Sequence, residues 1–168
     1  LHATASQSGL AVGIYIIGTV VARLLAGRFI SILGCRKMLY LGLLIYLIST
    51  AMYFYTPNLL MLDSVRFLNG FAYGITSTAT STIIAAIIPM SRRGEGINYY
   101  GLSTSLAAAL GPFLGILMLH SLGYDFIIAF CVALIVICGI GAVIMKFEEP
   151  KLDIDSEAHK GIKISDYI

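Results

Sequence analysis

Five apolar runs, over roughly 9–26, 38–55, 59–88, 97–119 and 124–145, fill most of this chain and leave it little room to fold in water. At 1.5 Å rise per residue, about 20 apolar residues in a helix cross the roughly 30 Å hydrocarbon core of a bilayer. Hydrophobic residues make up 58% of the 168 and charged ones only 12%, with a mean hydropathy of +0.91. No soluble domain of that size could enclose so much apolar surface. The runs predict an all-α polytopic membrane helix bundle of five transmembrane helices, with the lipid bilayer as its solvent. A net charge of +2 spread along the chain gives no basic patch for nucleic acid.

Orientation follows from the connectors. Arg23 to Lys37 reads as a short cationic link between the first two runs, with Gly27 and Gly34 as breaks and Arg28, Arg36 and Lys37 as its charge. Arg23 itself is expected to snorkel toward the interface. Arg92, Arg93 and Lys146 fall on the same side, whereas the turns at Thr56-Pro57-Asn58 and His120 to Gly123 carry no Lys or Arg. That asymmetry places the basic loops in the cytoplasm. The third run is long for a single crossing, reaching about 45 Å as a helix. Residues 146–168 turn to mixed charge and read as a cytoplasmic linker. A chain that begins at Leu1 with no signal peptide and crosses five times reads as part of a longer protein. One span is expected to be missing in front.

Cys35, Cys131 and Cys138 are odd in number and two of them lie within a run, so a disulfide framework is not expected. His2, His120 and His159 join no ligand cluster. No metal, no cofactor and no enzymatic triad is expected.

Three stretches carry more specific information. In the connector, Gly27, Gly34, Arg36 and Lys37 match a pattern of approximately Gly-x-x-x-Asp-Arg-x-Gly-Arg-Arg. It resembles the loop between the second and third spans of major facilitator superfamily transporters. Ser31, Ile32 and Cys35 depart from that pattern, and Ser31 stands where the family's gating Asp would be. In the third run, Asp63, Arg66 and Asn69 recur at three-residue spacing and share a helix face. An ionisable residue inside a span is costly and marks a site facing the bundle interior, although a structural ion pair is an equal reading for Asp63. Arg66-x-x-Asn69-Gly70 resembles the superfamily's Arg-x-x-Gln-Gly motif, which implies a part in proton coupling or substrate binding. Thr76, Ser77, Thr78, Thr80, Ser81 and Thr82 follow. They either pack helices or line a cavity wall, with Thr76, Ser77 and Thr80 as candidates for the wall.

In the fourth run, Ala107, Gly111, Pro112 and Gly115 combine a helix-opposing proline with small residues that allow close helix approach. This resembles the Gly-x-x-x-Gly-Pro-x-x-Gly motif of the superfamily's drug/proton antiporters. Gly9-x-x-x-Gly13 and Gly70-x-x-x-Gly74 have the same packing spacing.

Taken in order, the three stretches resemble spans two to six of a twelve-span carrier, so residues 1–145 would be an incomplete six-helix N-terminal half. The resemblance implies a bacterial inner-membrane exporter of the multidrug or metallophore type, exchanging a small-molecule substrate for protons. It also implies dependence on the absent first span and C-terminal half. The alternatives are a non-transporting scaffold or degenerate half-carrier, and a facilitator importing a sugar or metabolite.

Overall fold

The computed structural model describes residues 4–145, so the expected linker at 146–168 lies outside the described residues. Five α-helices follow one another: α1 Ala5–Leu33, α2 Cys35–Ala51, α3 Leu59–Ile87, α4 Arg93–Leu122 and α5 Tyr124–Ile144. Short 3-10 turns, Met52–Tyr55 and Met90–Arg92, close α2 and open α4. Among the described residues there is no strand.

Helix packing grades from centre to edge. α3 lies buried between α1 and α2, through Val65, Asn69, Gly70, Ala72, Gly74, Ile75, Ala79 and Ile83. Its register with α1 is parallel: Gly70 meets Tyr15, and Gly74 meets Thr19 and Ala22. With α2 it is antiparallel, Gly42 meeting Thr76 while Asn69 bonds Ser49 and Thr50. The core continues through Ala26, Ile30, Met38, Leu39, Ala79 and Ile83. At its edge α5 lies along α2, where the Tyr40 hydroxyl donates to the Ala142 carbonyl at 3.2 Å. No residue of α4 is buried.

Surface composition is inverted relative to a soluble protein. Leu24 and Ile32 on α1 are 76% and 73% exposed, Phe113 on α4 63% and Ile144 on α5 72%. Continuous apolar surface of this kind belongs against lipid or another helix. Four stretches, Ser6–Leu33, Cys35–Tyr55, Met90–Leu122 and Tyr124–Ile144, are long and apolar enough to cross a membrane. α3, at 29 residues, is not among them. Asp63, Arg66, Asn69 and its run of hydroxyls lower its apolar content. A helix shielded from lipid by two neighbours can carry such groups, and a lipid-facing one cannot.

The cationic connector expected over Arg23 to Lys37 is corrected by the structure. α1 remains helical through Leu33, and the break is confined to Gly34, with φ +84° and ψ +153°. Gly123 joins α4 to α5 in the same way, with φ +86° and ψ +174°. That region of backbone space is essentially restricted to glycine, and forcing another residue into it costs about 1–3 kcal/mol. Gly34→Ala and Gly123→Ala should each lower the apparent Tm of the detergent-solubilised protein. Gly27→Ala, whose added Cβ meets nothing within 4 Å inside α1, should not lower it and gains helix propensity.

Candidate transport site

Arg66 is half-buried and aims across the turn at the end of α2. Its guanidinium carbon lies 5.5 Å from the centre of the Tyr53 ring, a cation–π placement. Both its Nε and the Tyr53 hydroxyl are buried with no hydrogen-bond partner. Asp63, one turn away on α3, is half-buried. Arg66 turns to Tyr53 rather than to Asp63, and the structural ion pair between the two does not form among the described residues. Spacing puts two residues on one face, but side-chain reach decides whether they meet.

Asn69 serves a different purpose from its neighbour. It is 8% exposed, and its Nδ2 donates to Ser49 Oγ at 3.1 Å and Thr50 Oγ1 at 3.0 Å. Those hydroxyls donate in turn to the Tyr46 carbonyl, at 3.0 and 2.7 Å. The arrangement satisfies every donor it uses and fixes the rotation of α3 against α2.

From Arg66 a row of phenols leads along the bundle. Tyr73 on α3 faces Tyr15 of α1, with ring centres 6.1 Å apart, and Tyr46 of α2 at 6.4 Å. These distances suit offset aromatic contact. Tyr73 is also a wall of a pocket of about 410 Å³ between α1, α3 and α4. Arg23 lines it from α1, Ser77, Thr78 and Ser81 from α3, and Tyr100 with Thr104 from α4.

Of the candidate wall residues, Ser77 therefore reaches the pocket, whereas Thr76 and Thr80 are not in its lining. Thr76 packs against Gly42 of α2 and donates to the Ala72 carbonyl at 2.8 Å. Thr80 donates to the Thr76 carbonyl at 2.8 Å. Arg23 sits ten residues from the end of α1, about 15 Å along the axis. It turns to the pocket rather than to the helix end. Arg23, Tyr73, Tyr100 and Thr104 were not anticipated as site residues. The available signal was tyrosine within the apolar runs, at positions 15, 46, 73 and 100, in a chain with no Trp.

The connector residues gather at the Gly34 end. Arg36 donates from Nε to the Tyr40 hydroxyl at 3.2 Å and lies over that ring at 5.8 Å, so it reinforces the link from α2 to α5. Ser31, in the position of the family's Asp, donates to the Arg28 carbonyl of its own helix at 2.6 Å. Gly27 makes no close contact, and Arg28 and Lys37 are exposed. In α4, Pro112 lies inside one continuous helix. Ala107 and Gly111 are exposed and Gly115 is half-buried, and a Cβ at either glycine would meet nothing within 4 Å. The close helix approach occurs instead at Gly18, Gly42, Gly70 and Gly74. Of the two Gly-x-x-x-Gly stretches, the one in α3 is packed and Gly9/Gly13 is open.

A multi-pass helical membrane protein that half-buries Arg66 on its central helix and lines an open pocket with Arg23 and two phenols has the makings of a carrier, because lipid-facing helices gain nothing from such groups. The chain belongs to the Major Facilitator Superfamily, whose sequence profile matches residues 1–164. It is similar to an uncharacterized MFS-type transporter of Methanocaldococcus jannaschii, at 28% identity over 78% of this chain and 34% of that protein. Multidrug resistance protein 1 of Bacillus subtilis is 24% identical over 97% of this chain and 41% of its own length. Monosaccharide-sensing protein 1 of Arabidopsis thaliana is 32% identical over 56% of this chain and 13% of its own. The chain thus spans less than half the length of each of these relatives.

Proposed function

We propose that these helices are part of the N-terminal half of a proton-coupled exporter of small molecules, which works by alternating access in a bacterial cytoplasmic membrane. The Gly34 and Arg92 end would face the cytoplasm, as the placement of basic residues favours. The observation that carries the reading is Arg66, a permanent cation held inside the bundle by Tyr53 with a buried Nε left for a further acceptor. A carboxylate that comes within about 4–6 Å of such a cation has its pKa lowered by about 1–3 units and releases its proton. One that moves away takes the proton back. Rocking of the two halves would bring that approach and separation about, and so join proton movement to substrate movement. Export rather than uptake is favoured by the similarity to multidrug resistance protein 1 of Bacillus subtilis.

Import of a sugar is the second reading, favoured by the hydroxyls of the pocket wall and by the likeness to monosaccharide-sensing protein 1. Everted vesicles containing the full-length carrier separate the two. With the lumen acidified, export appears as accumulation of an organic ion such as ethidium or 2,3-dihydroxybenzoate, and nigericin should abolish it. Accumulation that survives nigericin, or glucose entry into right-side-out vesicles with no proton movement, would replace the export reading.

A further inference from the structure

The pocket between α1, α3 and α4 has a chemistry of its own, distinct from Arg66. Its lining holds one formal charge, Arg23, and no carboxylate. The carboxylates among the described residues are Asp63, Glu95 and Asp125, all of them outside that lining. Arg23 stands mid-way along α1 and is exposed at this open pocket; a cation at that level of a span calls for an opposite charge or an acceptor, and the pocket wall offers no anion.

The hydroxyls narrow the ligand further. Ser77 and Thr78 both donate to the Gly74 carbonyl, at 3.2 and 2.8 Å. Ser81 donates to the Thr78 carbonyl at 2.9 Å, and Thr104 to that of Gly101 at 2.8 Å. A hydroxyl has one hydrogen and two lone pairs. With the hydrogens engaged in their own helices, these four groups present acceptors to the pocket. Tyr73 and Tyr100 add two phenol rings, flat surfaces with a polar tip. The pocket is open on one side, and its volume of about 410 Å³ leaves room for a small molecule.

We infer that this pocket binds a small aromatic acid that carries its own O–H or N–H donors. Its anionic group pairs with Arg23, its ring lies against Tyr73 and Tyr100, and its donors meet the hydroxyls of Ser77, Thr78, Ser81 and Thr104. The inference rests on the transporter reading and names the substrate class of that carrier. Acid recognition and hydroxyl recognition are separate contributions, so each can be removed alone.

Calorimetric titration of the full-length carrier in nanodiscs, with no pH gradient, tests both contributions. The probes are 2,3-dihydroxybenzoate, benzoate and ethidium. 2,3-Dihydroxybenzoate should bind about fivefold or more tighter than benzoate, since its 3-hydroxyl adds a free donor while its 2-hydroxyl is engaged by its own carboxylate. Arg23→Gln should weaken both acids by about tenfold or more, as expected for loss of a charge-assisted contact, and should not weaken ethidium. The double variant Ser81→Ala/Thr104→Ala keeps the charge and two of the four hydroxyls, and should reduce the preference for the dihydroxy acid without weakening benzoate. That variant answers the question even if Arg23→Gln fails to fold. Absence of acid binding, an unchanged affinity in Arg23→Gln, or ethidium binding as tightly as the acid would overturn the inference. Acid binding with no proton-driven flux would sink the coupling reading instead, so the two failures are distinguishable.

Discussion

A single added methyl at Gly70 is expected to unseat α1 from α3 and lower the apparent Tm of the solubilised protein by roughly 10 °C, corresponding to about 3 kcal/mol for a chain of this size. The new Cβ would fall on the backbone carbonyl of Tyr15, with the Tyr15 Cα only 3.1 Å away. Side chains can rotate out of an overpacked site at a cost of about 1–3 kcal/mol, but a carbonyl inside a helix cannot. Gly74 and Gly18 would offer no slack. A Cβ at Gly74 lies 2.6 Å from Ala22 Cβ and 2.7 Å from the Thr19 carbonyl oxygen, and one at Gly18 lies 2.5 Å from the Phe67 carbonyl oxygen. Separation of the helices would also break the contact of the Thr19 hydroxyl, 3.1 Å from the Gly70 carbonyl. The control is Gly13→Ala, which enters open space and gains helix propensity. Thermal denaturation followed by fluorescence-detected size exclusion compares them. Equal stability of Gly70→Ala and Gly13→Ala would show that the α1–α3 crossing does not depend on close backbone approach.

Arg66→Ala is expected to have the opposite profile, with flux lost and fold retained. Alanine removes a charge whose insertion at the centre of a span costs about 2.5–3.5 kcal/mol, so membrane insertion should not suffer. The structural debit is small, because Arg66 gives up its stack on Tyr53, worth about 0.5–2 kcal/mol, and leaves no ion pair broken among the described residues. Proton-driven flux by the full-length carrier should nevertheless fall to the level of empty liposomes. Arg66→Lys should recover little of it, since an ammonium has neither the planar face nor the Nε of a guanidinium. Flux in proteoliposomes, normalised to protein inserted, reads the effect. Wild-type flux from well-inserted Arg66→Ala would remove Arg66 from the coupling machinery.

Much of the architecture was legible because lipid imposes simple rules on sequence. Long apolar runs must be helices, and α3 at Leu59–Ile87 ends within a residue of the run that announced it. The connector was harder. Gly27 and Arg28 look like a loop, yet in an exposed helix glycine costs only about 1 kcal/mol and arginine is a good helix former. Only Gly34 takes a backbone conformation that ends the helix. The α3 site was half legible. Periodicity put Asp63, Arg66 and Asn69 on one face, but their partners come from other segments: Tyr53 beyond the Thr56-Pro57 turn, and Ser49 with Thr50 on α2. Arg23 was misread for the same reason, since snorkelling is a property of one helix and a pocket requires three.

α4 is pinned at its ends and bare along its length. At one end the Arg93 guanidinium donates to the Ala85 carbonyl of α3 at 3.0 Å, and at the other Gly123 leads directly into α5. Between them no residue is buried, yet Tyr100 and Thr104 contribute to the pocket wall. Mutations on this helix can therefore accumulate without a toll on the α1–α3–α2 core.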